Sequence, residues 1–442
     1  MHTSWIIALG FSLAGIFCHC TAKGSPPSSP ELAAVTPTRP SAGAGLPTPG
    51  TPGTPPPASS GARPENFDSF AQKLVTQVAP IREGHEVMIV GGTRDVELME
   101  DIAVQARRLG AFPIIAHKSE RLVRKMFSHV PEKWDTQMPQ LTLKLATLLD
   151  AHIELDFADS LNYLDGIPPQ RQGTRWQANQ LEDSIQRRRG MIMVHIGNEM
   201  YPTAQRAQLY GLGQDQLAEM FWGGLDVDYS ELQKRGEALR QALSAGRELH
   251  ITHPNGTDFR VQIAGRKVFV SDGVITEEDI RTGALGGTGA SAYLPAGEAY
   301  LVPVPGSGDG VIVDDVLTVD VPGQRSVDRM IHGMKLTFKG GTVTAKSAGS
   351  GMEFYDKGYW DVVGEGRDQL SVIDLGFNPM IRHLPGSRLE VYSASGMITL
   401  GLGNQHWAGS DNPASFGVRH YLPGCTVTID GKVLIENGEL KI

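Results

Sequence analysis

The sequence predicts an α/β protein: a parallel-sheet α/β N-terminal domain followed by a β-rich α+β C-terminal domain. Three observations predict it. Residues 85–118 read HEVMIVGG, TRDVELMEDIAVQARRLGA and FPIIAHK, an apolar strand closed by two glycines, a helix with a Thr start and a Gly end, and a second strand. Strand, helix and strand in that order form a βαβ unit, which needs a parallel sheet with helices on its faces. Beyond Asp226 the pattern changes to short strands between glycine-rich turns, among them ELHITHP, DFRVQIAG, AYLVPVP, GVIVDDV and KLTFKGG, as in a β-rich domain. The third observation is size. At 442 residues, 40% hydrophobic and 20% charged, the chain exceeds one ordinary core, so two folded domains are expected, over 66–225 and 226–442.

Taken in order, the N-terminus comes first. The run from Trp5 to Phe17 is apolar but too short to span a membrane, and small residues follow it. It reads as a signal peptide over 1–22, with cleavage after Ala22 and an exported, secreted or periplasmic protein; lipid anchoring at Cys18 or Cys20 is the alternative. Residues 23–65 are almost wholly Pro, Gly, Ser, Thr and Ala, a disordered linker without the means to build a core. The folded part opens with a helical run from Phe67 to Val78. HIELDF (152–157) and MIMVHIG (191–197) continue the parallel sheet, and the Arg187, Arg188, Arg189 run reads as a solvated helix end. Gly91 and Gly92 invite comparison with a phosphate loop, but G-x-G-x-x-G spacing and a P-loop lysine are both missing, which leaves a tight strand-to-helix turn. DYSELQKRGEALRQALSAG is an amphipathic helix, and TVTIDGKVLIENGEL closes the chain as a hairpin around Asp-Gly.

Charge narrows the partners. A net charge of −9 without a long basic stripe argues against nucleic acid and against an anionic membrane surface. Past the signal only Cys425 remains, so no disulfide framework holds the fold.

One carboxylate stands out. In YLPAGEAYLVPVPGSGDG, residues 293–310, Glu298 sits in an apolar run whose prolines and glycines fix the backbone around it. A charge so placed needs a partner. It is either an ion-paired strand-end carboxylate or a metal ligand or catalytic acid.

GRELHITHPNGTDFRVQIAGR, LPAGEAYLVPVPGSGDGVIV, LSVIDLGFNP, ITLGLGNQHWAGSDN and TVTIDGKVLIENGEL, in that order, resemble the thermophilic aminopeptidase T family of metallopeptidases over roughly residues 66–442. The resemblance implies an α/β domain joined to a domain holding two divalent ions (Zn, Co, Mn or Fe), removal of N-terminal residues from peptides, and a homodimer. It makes Glu298 a metal ligand, around which a bound water becomes the nucleophile. The other ligand positions of the family fall on Val372, Met397, Gly417 and Arg419, none of which is a ligand. Asp374, His406, Asp411 and His420 lie near enough in sequence to serve as substitutes in a rearranged N/O site. The residues therefore favour a catalytically degenerate module that binds a peptide or protein and needs no cofactor, with Arg419 supplying the positive charge. The alternative is an active metallo-aminopeptidase using Glu298 and the rearranged site.

Overall fold

The computed structural model describes residues 63–64, 66–160, 162–282, 290–318 and 327–442. The signal peptide, nearly all of the linker, Cys18 and Cys20 lie outside the described residues.

The N-terminal sheet is built as the βαβ pattern requires. Its strands are β1 (Glu86–Gly91), β2 (Phe112–His117), β3 (Ala151–Leu155), β4 (Ile192–Ile196) and β8 (Ser291–Leu294), all parallel, in the order β2-β1-β3-β4-β8. Helix α1 (Asp68–Lys73) packs on α2 (Val96–Arg108), whose Leu98, Met99 and Ile102 are buried. Helices α3 (Glu120–His129), α4 (Gln140–Leu148) and α5 (Pro169–Arg189) lie in the connections from β2 to β3 and from β3 to β4. The three arginines fill the last turn of α5, where cations complement the helix dipole, and Gly190 at φ 64° ends it. Helices α6 (Ala204–Tyr210), α7 (Gln214–Leu225) and α8 (Tyr229–Ala245) then lead into the β-rich half.

The sheet order reverses between β1 and β3, the place where open α/β sheets usually bind ligands. Here the chain fills that crevice itself. Arg206, fully buried, donates from Nη2 to Asp156 Oδ2 at 2.5 Å, and Asp156 Oδ1 accepts from the Ala158 amide at 2.9 Å. Arg94, from the turn after Gly91 and Gly92, reaches Asp95, Asp159 and the Asp156 carbonyl, while Tyr201 donates to Asp95. A Cβ on Gly91 would meet Met99 Sδ at 2.7 Å. Gly91 thus serves close helix packing, in agreement with a tight turn.

The β-rich half forms two antiparallel sheets. The larger contains β5 (Glu248–His253), β6 (Thr257–Gln262), β10 (Asp309–Thr318), β11 (Met330–Lys339), β12 (Thr342–Ser347), β16 (Thr426–Ile429), β17 (Lys432–Glu436) and β18 (Glu439–Leu440), in the order β12-β11-β10-β6-β5-β16-β17-β18. The Asp430-Gly431 turn between β16 and β17 has φ 48° and 81°, both positive as that hairpin turn demands. The smaller sheet contains β7 (Val268–Ser271), β9 (Glu298–Leu301), β13 (Leu370–Gly376), β14 (Ile398–Gly403) and β15 (Gly417–Leu422), ordered β15-β14-β13-β9-β7. The described residues belong to one compact unit. Its main core runs from Phe67 to Ile435, and a small separate cluster of Tyr300, Val372 and Ala408 lies on one face of the five-stranded antiparallel sheet.

Candidate functional site

That face is where the sequence-derived residues meet. Residues directly opposite in a ladder point to the same side. Glu298 pairs with Ser271 and Gly376, Tyr300 with Phe269 and Asp374, Asp374 with Thr399, Thr399 with Tyr421, and Gly401 with Arg419. One face of β9, β13, β14 and β15 therefore presents Glu298, Asp374, Thr399 and Arg419 together. The intervening residues, Ala299, Ile373, Leu375, Leu400 and Leu402, face the main core.

Glu298 is held rigidly, as its flanking residues imply. Gly297 adopts φ 130°, and a Cβ there would lie 2.7 Å from the Asn378 amide nitrogen. Asn378 donates from Nδ2 to the Ala296 carbonyl at 2.6 Å, and the Phe377 amide donates to the Gly297 carbonyl at 2.8 Å. The PAGE and GFNP stretches thus pin each other.

Glu298 and Asp374 are each 1% exposed, and no donor from the rest of the chain reaches any of their four oxygens. Burial pushes both carboxyls up from the ordinary range, Asp374 further, because Glu298 lies beside it; Arg419 opposes both shifts. The two titrate as a pair. Arg419 Cζ lies 5.0 Å from the ring centres of both Tyr392 and Trp407, with the guanidinium stacked against aromatic faces. The Tyr392 hydroxyl donates to Asn198 Oδ1, and Asn198 donates to the Pro295 carbonyl at 2.8 Å, tying this wall to the end of β4. The Thr399 hydroxyl, fully buried, also has no hydrogen-bond partner.

Of the proposed substitute ligands, Asp374 joins Glu298 and the other three do not. His420 lies on the opposite face of β15, with Nδ1 3.4 Å from Asp314 Oδ2 and Nε2 3.3 Å from the Tyr355 hydroxyl. His406 is exposed, its Nδ1 2.5 Å from the Ser410 carbonyl oxygen, and Asp411 is exposed in the same loop. Among the described residues no three His, Cys, Asp or Glu side chains gather so as to hold a metal ion. Val372 is fully buried and packs into the space that Gly401 leaves, where a Cβ would lie 2.4 Å from Val372 Cγ1. Met397 is buried in the main core cluster, and Gly417 begins β15 two residues before Arg419. Arg419 is coupled to Glu298 through charge, and no hydrogen bond joins them. Cys425 is 1% exposed and pushed up to about 12 by burial, which removes it from nucleophilic chemistry.

Sequence reasoning missed Thr399 and Tyr392. Thr399 was reachable: it stands between Ile398 and Leu400 in β14, and strand alternation puts such a polar residue on the face away from its apolar neighbours. Tyr392 had no such signal, because it reaches the site from an irregular segment.

Two divalent ions do not fit this donor set. The orphaned carboxyl oxygens would suit a cation, but among the described residues no third His, Cys, Asp or Glu joins them, and the Arg419 guanidinium stands on the same face of the sheet.

Comparison with known proteins gives the context. A family model described as thermophilic metalloprotease (M29) matches residues 63–359. Wild-type AmpT from Thermus thermophilus is similar in structure, with a TM-score of 0.63 at 18% identity, covering 85% of this chain and 99% of that one. The 2,5-dihydroxypyridine dioxygenase from Pseudomonas putida KT2440 gives a TM-score of 0.53 at 15% identity, over 85% and 96% of the two chains. Comparison with curated proteins returned no match.

Proposed function

The chain belongs to the thermophilic metalloprotease (M29) family, and from that premise we propose that it is a metallo-aminopeptidase-like protein whose centre has become a peptide-binding site without hydrolytic activity. The observation that carries the reading is the set of four buried carboxyl oxygens without donors, beside a guanidinium in place of further ligands. The family match also ends at residue 359, short of Asp374, Thr399 and Arg419, so the divergent half of the centre lies beyond the conforming part of the sequence.

Four acceptor oxygens sharing one proton are complementary to an ammonium, the group at a peptide's amino terminus. A ligand ammonium would displace the shared proton and make ion pairs with both carboxylates, leaving Arg419 as the third charge. Trp407 and Arg419 are partly exposed at one end of the cluster, and Phe269 and Val302 at the other.

Calorimetry with a short peptide amide and its N-acetylated form tests this. The free amino terminus is expected to bind at least about tenfold more tightly, and Glu298→Gln to remove the difference. Equal binding of the two peptides would sink the reading. The orphaned oxygens favour one other reading, a metallo-hydrolase using Glu298 and Asp374. Stoichiometric metal after dialysis, with chelator-sensitive hydrolysis of an aminoacyl anilide, would establish it instead.

Export is part of the proposal, supported by the apolar run from Trp5 to Phe17. No helix among the described residues is long and apolar enough to cross a membrane. Mass spectrometry of extracytoplasmic protein should find a start near Lys23; an intact Met1 there would overturn it.

A further inference from the structure

The α/β region carries a second site-like feature, made of residues that the peptidase resemblance leaves unused. A cavity of about 930 Å³ lies among α3, α4, α5 and the segment joining the first two, within the size range of small-molecule sites. Its body is apolar. Val123 and Phe127 are buried, while Leu122, Trp134 and Met138 are 40%, 46% and 39% exposed, so the cavity opens to solvent through an apolar rim.

Two polar side chains on successive turns of α5, Arg175 and Asn179, enter this apolar wall. Asn179 is 4% exposed, and its amide oxygen has no hydrogen-bond partner, an arrangement that costs stability unless something binds there. The guanidinium of Arg175 is oriented by this chain on three sides. Nε donates to Asp135 Oδ1 at 2.7 Å, Nη2 donates to the Met126 carbonyl at 3.0 Å, and Cζ lies 4.1 Å from the Phe127 ring centre. Those contacts leave Nη1 unused.

The charge around the cavity is in surplus on the positive side. Asp135 is shared between Arg175 and Arg171, each with Nε at 2.7 Å, so two guanidiniums face one buried carboxylate. Glu132 approaches Arg171 only at 3.8 Å from an exposed position. Arg121, Arg124 and Lys125 are exposed on α3 itself, and Lys133 Nζ lies 4.7 Å from the Trp134 ring centre at the rim. In a chain of net charge −9, this local reversal selects the sign of a ligand.

We propose that this cavity binds a small anionic amphiphile, a carboxylate-headed apolar molecule of the fatty-acid type. The apolar body lies along Val123, Phe127 and Met138, and the carboxylate meets Arg175 Nη1 and the Asn179 amide. A half-turn of that amide exchanges its oxygen for its NH2 group, so the same orphaned side chain can donate to the anion. A cationic head would face the surplus guanidinium, and a neutral head would leave Nη1 unused.

The site is independent of the peptide reading, and its test uses the full chain with three probes of equal tail length. Decanoate, decanol and decylammonium are titrated by calorimetry below their aggregation concentrations. Decanoate is expected to saturate at one per chain, at least about tenfold more tightly than decanol, with decylammonium showing no saturable binding. Met126→Trp should fill the cavity and abolish decanoate binding. Asn179→Leu changes a side chain whose amide oxygen has no hydrogen-bond partner, so it should fold and bind decanoate several-fold more weakly, with decanol little altered. Arg175→Gln should erase the preference for decanoate; if it unfolds, as loss of the partner of Asp135 allows, Asn179→Leu decides the head-group contact. Absence of saturable decanoate binding, equal affinity for decanoate and decanol, or unchanged binding in Met126→Trp would each overturn the proposal.

Discussion

Asp156 and Glu298 are both carboxylates at the end of a strand, both nearly inaccessible, and the chain treats them oppositely. Asp156 has each oxygen occupied, one by Arg206 and one by the Ala158 amide. Glu298 shares its burial with a second carboxyl, and neither receives a donor from the rest of the chain. A fold that needs a buried charge for stability surrounds it with donors, because an unsatisfied buried group costs on the order of 1–3 kcal/mol. The difference separates a buried carboxylate whose oxygens the chain satisfies from a buried pair whose oxygens it does not.

The largest expected effect breaks the closed side of the comparison. Arg206→Met leaves Asp156 buried without its counter-charge, and should cost about 3–5 kcal/mol in urea unfolding. A loss near zero would mean that the crevice is not held by this pair.

The open side should respond less to the first change than to the second. Glu298→Gln leaves Asp374 free to ionise beside Arg419, so the single substitution should cost about 1 kcal/mol or less. Adding Asp374→Asn removes the remaining negative charge beside Arg419, which carries a further penalty. The partial exposure of Arg419 reduces that penalty by solvent screening, to about 2 kcal/mol. Strict additivity of the two substitutions would argue against a shared proton, since coupled neighbours are expected to deviate.

Titration sharpens the same contrast. The Asp374 carboxyl is raised well above its ordinary value, chiefly by burial and next by Glu298. Between the ordinary carboxyl range and that raised value the folded state holds more protons than the unfolded chain, so this term is complete at lower pH and fades as pH rises through the folded value. Asp374→Asn deletes the term, while Asp314 and the buried histidines stay in both proteins and largely cancel. Relative to the parent, the variant should therefore gain stability as pH rises from the ordinary carboxyl range towards the raised value. Parallel unfolding curves across that range would show that the pair is not shifted.

How much of this was legible in the sequence follows from the same physics. The parallel sheet was readable because β1 and β2 are continuous apolar strands around an amphipathic helix, although Thr93 opens a 3-10 turn and does not cap it, and the β16–β17 hairpin because Asp-Gly supplies the two positive φ angles. That β8, at Ser291–Leu294, crosses back to complete the first sheet was not readable, since a four-residue strand carries no mark of its partner. For the site, Glu298 was legible from its fixed backbone and Asp374 from its distance to Val372. His420 does not join Glu298 because proximity in sequence ignores strand alternation, and His406 and Asp411 stay apart because they lie exposed in the loop after β14. His420 is adjacent to Arg419 and for that reason points away from it.

The smallest expected effect concerns that other face. Burial pushes His420 down to about 4, so its ring is neutral near pH 7. Asp314, raised well above its ordinary value by burial, faces it without a strong ion pair. The Tyr355 hydroxyl sits 3.3 Å from His420 Nε2, a long contact between neutral groups. Tyr355→Phe should accordingly cost less than about 1 kcal/mol, well below the Arg206 variant. It should also leave peptide affinity unchanged, because the ring lies across β15 from Arg419 and Glu298. If Tyr355→Phe weakens the free-amine peptide as much as Glu298→Gln does, the two faces are one functional unit, and the division between a structural histidine and a binding carboxyl pair fails.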